Sequence, residues 1–254
     1  MRTPIVVAIL LALVSLGGLV VPDAYARETA AWTAQAIGQD WFDLVIAAPW
    51  LVVCGVMARR RPTWKAILAG AYAYTIYELF IYAFGVHFNA LFLLYCATLG
   101  SASFALIALI GEVPAQRGGK LAGGFLVGIG AVFGLLWLAE DVPALLHRTA
   151  PASLDETGLF TNPVHVIDLS FVLPLHVAIG ISAWRGGALG TRYAPVVLSF
   201  GALMAASIGG MLVVMRGPGP VIAMMFVAAT ASALVLIRAT LATWRPNAMP
   251  SVSR

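Results

Sequence analysis

Long apolar runs alternate with short polar connectors along most of the chain. The runs are Pro4–Val21, Trp41–Ala58, Ala66–Phe84, Asn89–Ile110, Leu121–Ala139, Pro163–Ala183, Tyr193–Met215 and Val221–Leu241. An apolar helix of about 20 residues crosses a bilayer core, so the pattern predicts an all-α, polytopic transmembrane bundle of about eight spans. Nothing between the runs is long enough for a soluble domain, and residues 1–254 read as a single transmembrane domain. Two connectors are longer than the rest. Residues 22–40, with Trp32 inside and Trp41 just beyond, predict a short external helix lying in the interface. Residues 140–162 predict an external loop, either a solvated connector or a lid over the bundle mouth. No internal repeat is clear at this level.

Composition agrees with the pattern. The chain is 61% hydrophobic and 10% charged, with a mean hydropathy of +0.93, whereas a soluble domain carries about 25% charged residues. The formal charge of +4 is an orientation signal. Arg59, Arg60, Arg61 and Lys65, then Arg117 and Lys120, then Arg185 and Arg192, then Arg238, Arg245 and Arg254 fall in alternate connectors or at the end. The other connectors hold Asp23, Glu28, Asp40, Glu140, Asp141, Asp155 and Glu156, with only Arg27, Arg148 and Arg216. Basic residues flanking spans mark the cytoplasmic side, which predicts both termini inside and the acidic loops outside. The partner implied is the lipid bilayer, and no nucleic acid; a homo-oligomer is compatible. The first run has a competing reading, because Arg2, an apolar core and PDAYA resemble a signal peptide. Cleavage there would leave seven spans. Cys54 and Cys96 both lie inside runs and read as buried thiols.

Polarity inside the runs changes the picture most. The stretch TNPVHVIDLSFVLPLH (Thr161–His176) carries two histidines, an aspartate and a proline into a span. An ionisable group at depth is costly and points to function by default. Glu78 lies roughly 9 Å and Asp168 roughly 7.5 Å below the outer surface at 1.5 Å per residue, so one pocket can hold both if their spans are neighbours. His165, Asp168 and His176 share an arc of roughly 80°, and Pro174 predicts a kink beside it that frees the Ser170 carbonyl. Tyr74, Glu78 and Tyr82 form a second stripe with Tyr77 beside it, and His87 and Asn89 sit at the next outer turn. The competing reading is a packing network, with His165 and Asp168 bonded to each other or to a neighbouring hydroxyl and Asn162 capping a helix ahead of Pro163.

No cofactor is assigned. His165, Asp168, His176 and Glu78 are suitable donors for zinc or iron, but no local motif such as HExxH accompanies them. Met211, Met215, Met224 and Met225 suit Cu(I) in type, though methionine in a span is usually packing. His176 lacks a second axial ligand at equal depth for haem, and the lysines stand at cytoplasmic ends, which excludes a retinal Schiff base. Gly119/Gly123, Gly124/Gly128 and Gly130/Gly134, with Gly201, Ala205 and Gly209, predict close helix packing.

YELFIYAFGVHFNALFLLY (Tyr77–Tyr95), TNPVHVIDLSFVLPL (Thr161–Leu175) and APWLVV (Ala48–Val53) resemble an uncharacterised family of bacterial multi-span membrane proteins. The resemblance implies a fold, a first run kept as a span, and a place in the bacterial cytoplasmic membrane; it implies no chemistry. The expectation is a non-enzymatic protein that binds a small ligand, ion or proton in an outer-leaflet intramembrane pocket, during transport or sensing. Its residues are Glu78, Asp168, His165, His176, His87, Asn89 and Tyr74. The alternatives are a metal-dependent membrane enzyme using the same cluster, and a membrane scaffold or assembly factor.

Overall fold

The computed structural model describes residues 2–116 and 119–241. Eight of its helices are long and apolar enough to cross a membrane, which makes this a multi-pass membrane protein. They are α1 (Arg2–Val20), α2 (Ala30–Arg60), α3 (Trp64–Gly85), α4 (Phe92–Ile110), α5 (Lys120–His147), α7 (Pro163–Trp184), α8 (Ala188–Val214) and α9 (Gly219–Leu241). The short α6 (Ala152–Thr157) lies between α5 and α7. No strand occurs among the described residues. The all-α bundle expected from the apolar runs is what forms. Arg117, Arg245 and Arg254, which carry part of the basic pattern, lie outside the described residues.

Local chemistry sets several helix starts. Thr29 caps α2 by accepting from the Trp32 amide at 3.2 Å. Asn162 caps α7, its Oδ1 accepting from the Val164 and His165 amides at 3.0 and 3.2 Å, with Pro163 in the first position. At the other pole, Arg192 donates to the Val113 and Gly111 carbonyls, each at 2.6 Å, and pins the turn after α4. Lys65 and Glu112 pair there at 2.7 Å.

The two ends of α2 and α5 correct the sequence boundaries. The interfacial helix expected over 22–40 is not a separate element, because residues 30–40 are the first turns of α2. Asp40, read as a loop residue, is fully buried on α2, as Trp32, Ala36 and Gln39 nearly are. Glu140 and Asp141, assigned to the 140–162 loop, stand on α5. In each case polar residues ended the apolar run, but these polar groups find partners inside the protein, so the helix continues past them.

The neighbour pattern of the first four long helices recurs in the second four. In the first group α1 packs on α2, α2 on α3, α3 on α4 and α4 back on α1. In the second, α5 packs on α7, α7 on α8, α8 on α9 and α9 back on α5. The groups meet where α8 packs on α3 and α2, and where the start of α7 meets α3. α1 is a member of the bundle, with Val7 and Leu11 fully buried.

Glycines permit two of the close crossings. A Cβ on Gly123 of α5 would lie 2.6 Å from the Gly180 carbonyl oxygen of α7, and one on Gly180 would lie 2.8 Å from the Gly123 oxygen. A Cβ on Gly70 of α3 would lie 2.6 Å from the Val196 oxygen of α8. The expected glycine stripe of α5 is only partly a packing surface, since Gly119 and Gly128 face open space. Gly201 also departs from expectation. Its nearest neighbours, measured from an added Cβ, are His176 Nε2 and Ser232 Oγ at 3.9 Å, and it lines a cavity.

Candidate functional site

Between the two helix groups lies a cavity of about 500 Å³. Its walls come from α2 and α3 on one side and from α5, α7, α8 and α9 on the other. Glu140, Glu156 and Asn162 stand at the end that carries the acidic connectors, while His176, Gly201 and Ser232 line the interior. α6 lies at the mouth, held where Thr29 Oγ1 donates to the Glu156 carbonyl at 3.0 Å. Most of the wall is apolar, and no Lys or Arg lines it among the described residues.

On the α7 wall, Asp168 accepts from Trp137 Nε1 at 2.8 Å, and the Tyr77 hydroxyl of α3 reaches the same carboxyl. Of the two bonds the packing reading allowed, the one to a neighbouring hydroxyl forms, Tyr77 to Asp168, and the one between His165 and Asp168 does not. His165 turns to α5, where its Nδ1 lies 3.0 Å from Asp141 Oδ1 and its ring stacks on Trp137 at 4.4 Å. His176 Nδ1 lies 2.8 Å from the Val172 carbonyl. A carbonyl only accepts, so Nδ1 carries a proton and the neutral ring presents Nε2 as an acceptor.

Glu78 stands next to Tyr77 on α3 and lines the same cavity as Asp168. The neighbourhood of α3 and α7 on which a shared pocket depended is therefore present. Glu78 is 6% exposed, and among the described residues its carboxylate has no hydrogen-bond partner. Its stripe mates Tyr74 and Tyr82 are committed elsewhere. Tyr74 donates to Asp43 Oδ1 at 2.6 Å, and Gln39 Nε2 donates to that same oxygen at 3.1 Å. Ser207 of α8 donates to Gln39 Oε1 at 2.6 Å. Tyr82 donates to Asp40 Oδ1 at 2.9 Å, and Tyr25 donates to Asp40 Oδ2 at 2.7 Å. Burial, followed by the Asp40 charge, pushes Tyr25 far above the usual tyrosine range and keeps it a donor.

Asp40, Asp43 and Gln39 are the buried polar residues that the run pattern passed over. A signal for Asp43 existed. DLVIAAP (Asp43–Pro49) repeats the spacing of DLSFVLP (Asp168–Pro174), and in both helices the turn is widened. The Ala48 amide bonds back five residues to the Asp43 carbonyl, and the Leu173 amide does so to Asp168. The proline has no N–H to give and crowds the carbonyl four residues back. A wide turn just before it accommodates both effects, and such turns gather at functional sites. The kink expected at Pro174 is taken up in this way.

His87 and Asn89 are not brought to the cavity. The Glu28 carboxylate accepts from the His87 amide at 2.7 Å and lies 3.0 Å from its Nδ1, and Asn89 caps the Leu91 amide at 2.8 Å and donates to the Ala24 carbonyl at 2.9 Å. These contacts tie down the turn before α4. Tyr74 is likewise turned to Asp43, away from the cavity wall. The proposed metal set fails a test of fit. His165 turns to Asp141 and Asp168 takes an indole, while the acceptors left on His176 and Glu78 do not gather with a third ligand. No group of three His, Cys, Asp or Glu side chains able to hold a metal occurs among the described residues. Comparison with protein-family models, with curated proteins and with solved structures returns no match.

Proposed function

We propose that the protein binds a small ligand, ion or proton in the cavity between its two helix groups, as part of transport or sensing across a bacterial cytoplasmic membrane. The observation that carries this reading is Glu78, a buried carboxylate without a hydrogen-bond donor on the wall of a cavity. Burying a carboxylate unpaired is expensive, and the cost falls when a proton, a cation or a donor arrives. Asp168 and His176 on the opposite wall add acceptor capacity at the same cavity. By the charge asymmetry of the connectors, the basic pole faces the cytoplasm and the cavity opens outward, in the outer half of the membrane.

Access to the cavity is the testable core of this reading. A cysteine at Gly201 has space for its Cβ, and in a Cys96→Ser background, since Cys96 is exposed and not buried as its run predicts, it gives a reporter inside the cavity. In right-side-out vesicles a membrane-impermeant cationic thiol reagent should modify Gly201→Cys. Modification only from the cytoplasmic side would overturn the orientation. No modification from either side would overturn the binding-site reading itself.

A further inference from the structure

The ligand class follows from what the cavity lacks. Glu78 offers two acceptor oxygens and meets no donor among the described residues. His176 is 3% exposed, and its one ring proton is spent on the Val172 carbonyl, so the Nε2 that faces Gly201 is a second acceptor without a donor. Glu140 and Glu156 add negative charge at the mouth, and no lysine or arginine on the wall balances any of it. Most of the remaining surface is aromatic and aliphatic, including Phe133, Phe200 and Met204, with Gln35, Thr157 and Asn162 among its polar members. An inorganic cation would keep most of its water and leave this apolar wall unused, and hard cations need several oxygen ligands drawn together, whereas no group of three His, Cys, Asp or Glu side chains gathers among the described residues. An anion would be repelled throughout.

We propose, resting on the binding reading above, that the cavity takes an organic ammonium with an apolar body. The ammonium donates its N–H groups to Glu78 and to His176 Nε2, and the apolar body lies against the aromatic wall. Each part answers an observed deficit: donors for the two unmet acceptors, positive charge for an uncompensated carboxylate, and apolar surface for a dry wall. Aromatic faces near the charge add cation–π attraction. The acidic mouth concentrates such ligands by their charge before they enter.

Three ten-carbon amphiphiles that differ only in the head separate this from simple apolar filling: decylammonium, decanol and decanoate. Each would be titrated against the full-length protein in lipid nanodiscs, with quenching or shift of tryptophan emission as the readout, since Trp32 and Trp137 both line the cavity. Decylammonium is expected to bind saturably and about tenfold or more tighter than decanol, the worth of a charge-assisted hydrogen bond. Decanoate is expected to bind weakest. Glu78→Gln, which keeps the shape of the side chain, should bring decylammonium down to the level of decanol.

Equal binding of decylammonium and decanol to the unaltered protein would overturn the ammonium assignment while leaving a binding cavity in place. So would a preference for decylammonium that survives Glu78→Gln. If no head group gives saturable binding and Gly201→Cys is also unreactive, both this inference and the binding reading fall. The head-group comparison on the unaltered protein decides the matter even if Glu78→Gln folds poorly.

Discussion

Asp43 and Asp168 hold equivalent positions in two different helices. Each accepts, through its carbonyl, the amide five residues ahead, and each is followed by a proline at the sixth position. The two helices are also equivalent in the bundle, since α2 is the second long helix of the first group and α7 the second of the other. What differs is the environment of the side chains. Asp43 is sealed among Gln39, Tyr74 and α8, whereas Asp168 looks into the cavity. One half keeps the device as a packing joint and the other presents it to the candidate ligand space.

Removing the two carboxylates should therefore have unequal consequences. Asp43→Ala strands the Tyr74 hydroxyl at an enclosed point, at about 1–3 kcal/mol, while the Gln39 amide loses one of its two acceptors and keeps the Tyr74 oxygen. Asp168→Ala strands the Trp137 indole and the Tyr77 hydroxyl, but beside a cavity into which solvent can move. Thermal unfolding in detergent should show the larger loss for Asp43→Ala, and a larger loss for Asp168→Ala would contradict this account of the two sites.

The Asp40 cluster gives a second expectation. Tyr82→Phe removes one of two hydroxyl donors to a carboxylate that is fully buried, and should destabilise by about 1–3 kcal/mol. Gly18→Ala should act on the same cluster from the side of α1, because an added Cβ would collide with the Asp40 carboxylate and the Tyr25 hydroxyl. The overpacking cost is about 1–3 kcal/mol. If the cluster holds α1 in place, the Gly18→Ala and Tyr82→Phe losses in unfolding experiments should fall short of additive when combined.

Two glycines five residues apart on α5 make an internal control. Gly123→Ala drives a methyl into the Gly180 carbonyl and the Trp184 amide, with 2.5 Å to the Trp184 nitrogen, and should weaken the α5–α7 crossing. Gly128→Ala meets nothing within 4 Å, and should be neutral or stabilising by up to about 1 kcal/mol from helix propensity. Comparable loss of folded yield in both variants would refute the crossing as described.

At the basic pole, the hydrogen bond and charge of Lys65 hold the exposed Glu112 carboxyl below the usual glutamate range. A carboxyl whose folded value is depressed stabilises the fold above its unfolded value and loses that contribution as pH falls through the folded one. Acid titration of the unaltered protein and of Lys65→Met should thus diverge above the ordinary glutamate range, about pH 4.3, and converge well below it. Raising salt should shrink the difference, because the pair lies at the surface.

The spans were legible in the sequence because apolar length is a local property. About eight runs of bilayer-crossing length follow from residue order alone, as do the Asn162–Pro163 helix start and the unusual polarity of Glu78, Asp168, His165 and His176. Helix ends were less legible. Asp40, Glu140 and Asp141 look like loop residues in a hydropathy pattern, yet each stands on a helix, with Asp40 bonded to Tyr25 and Tyr82 and Asp141 to His165. Such partners lie 15, 24 and 42 residues away on other elements, and a hydropathy pattern does not pair them. The choice between a shared cavity and a local His165–Asp168 pair had the same character. Tertiary packing decided it by setting α3 beside α7 and turning His165 to α5, which leaves Glu78 without a donor on the cavity wall. Periodicity tells which residues share a face of one helix; only the arrangement of helices decides what each face meets.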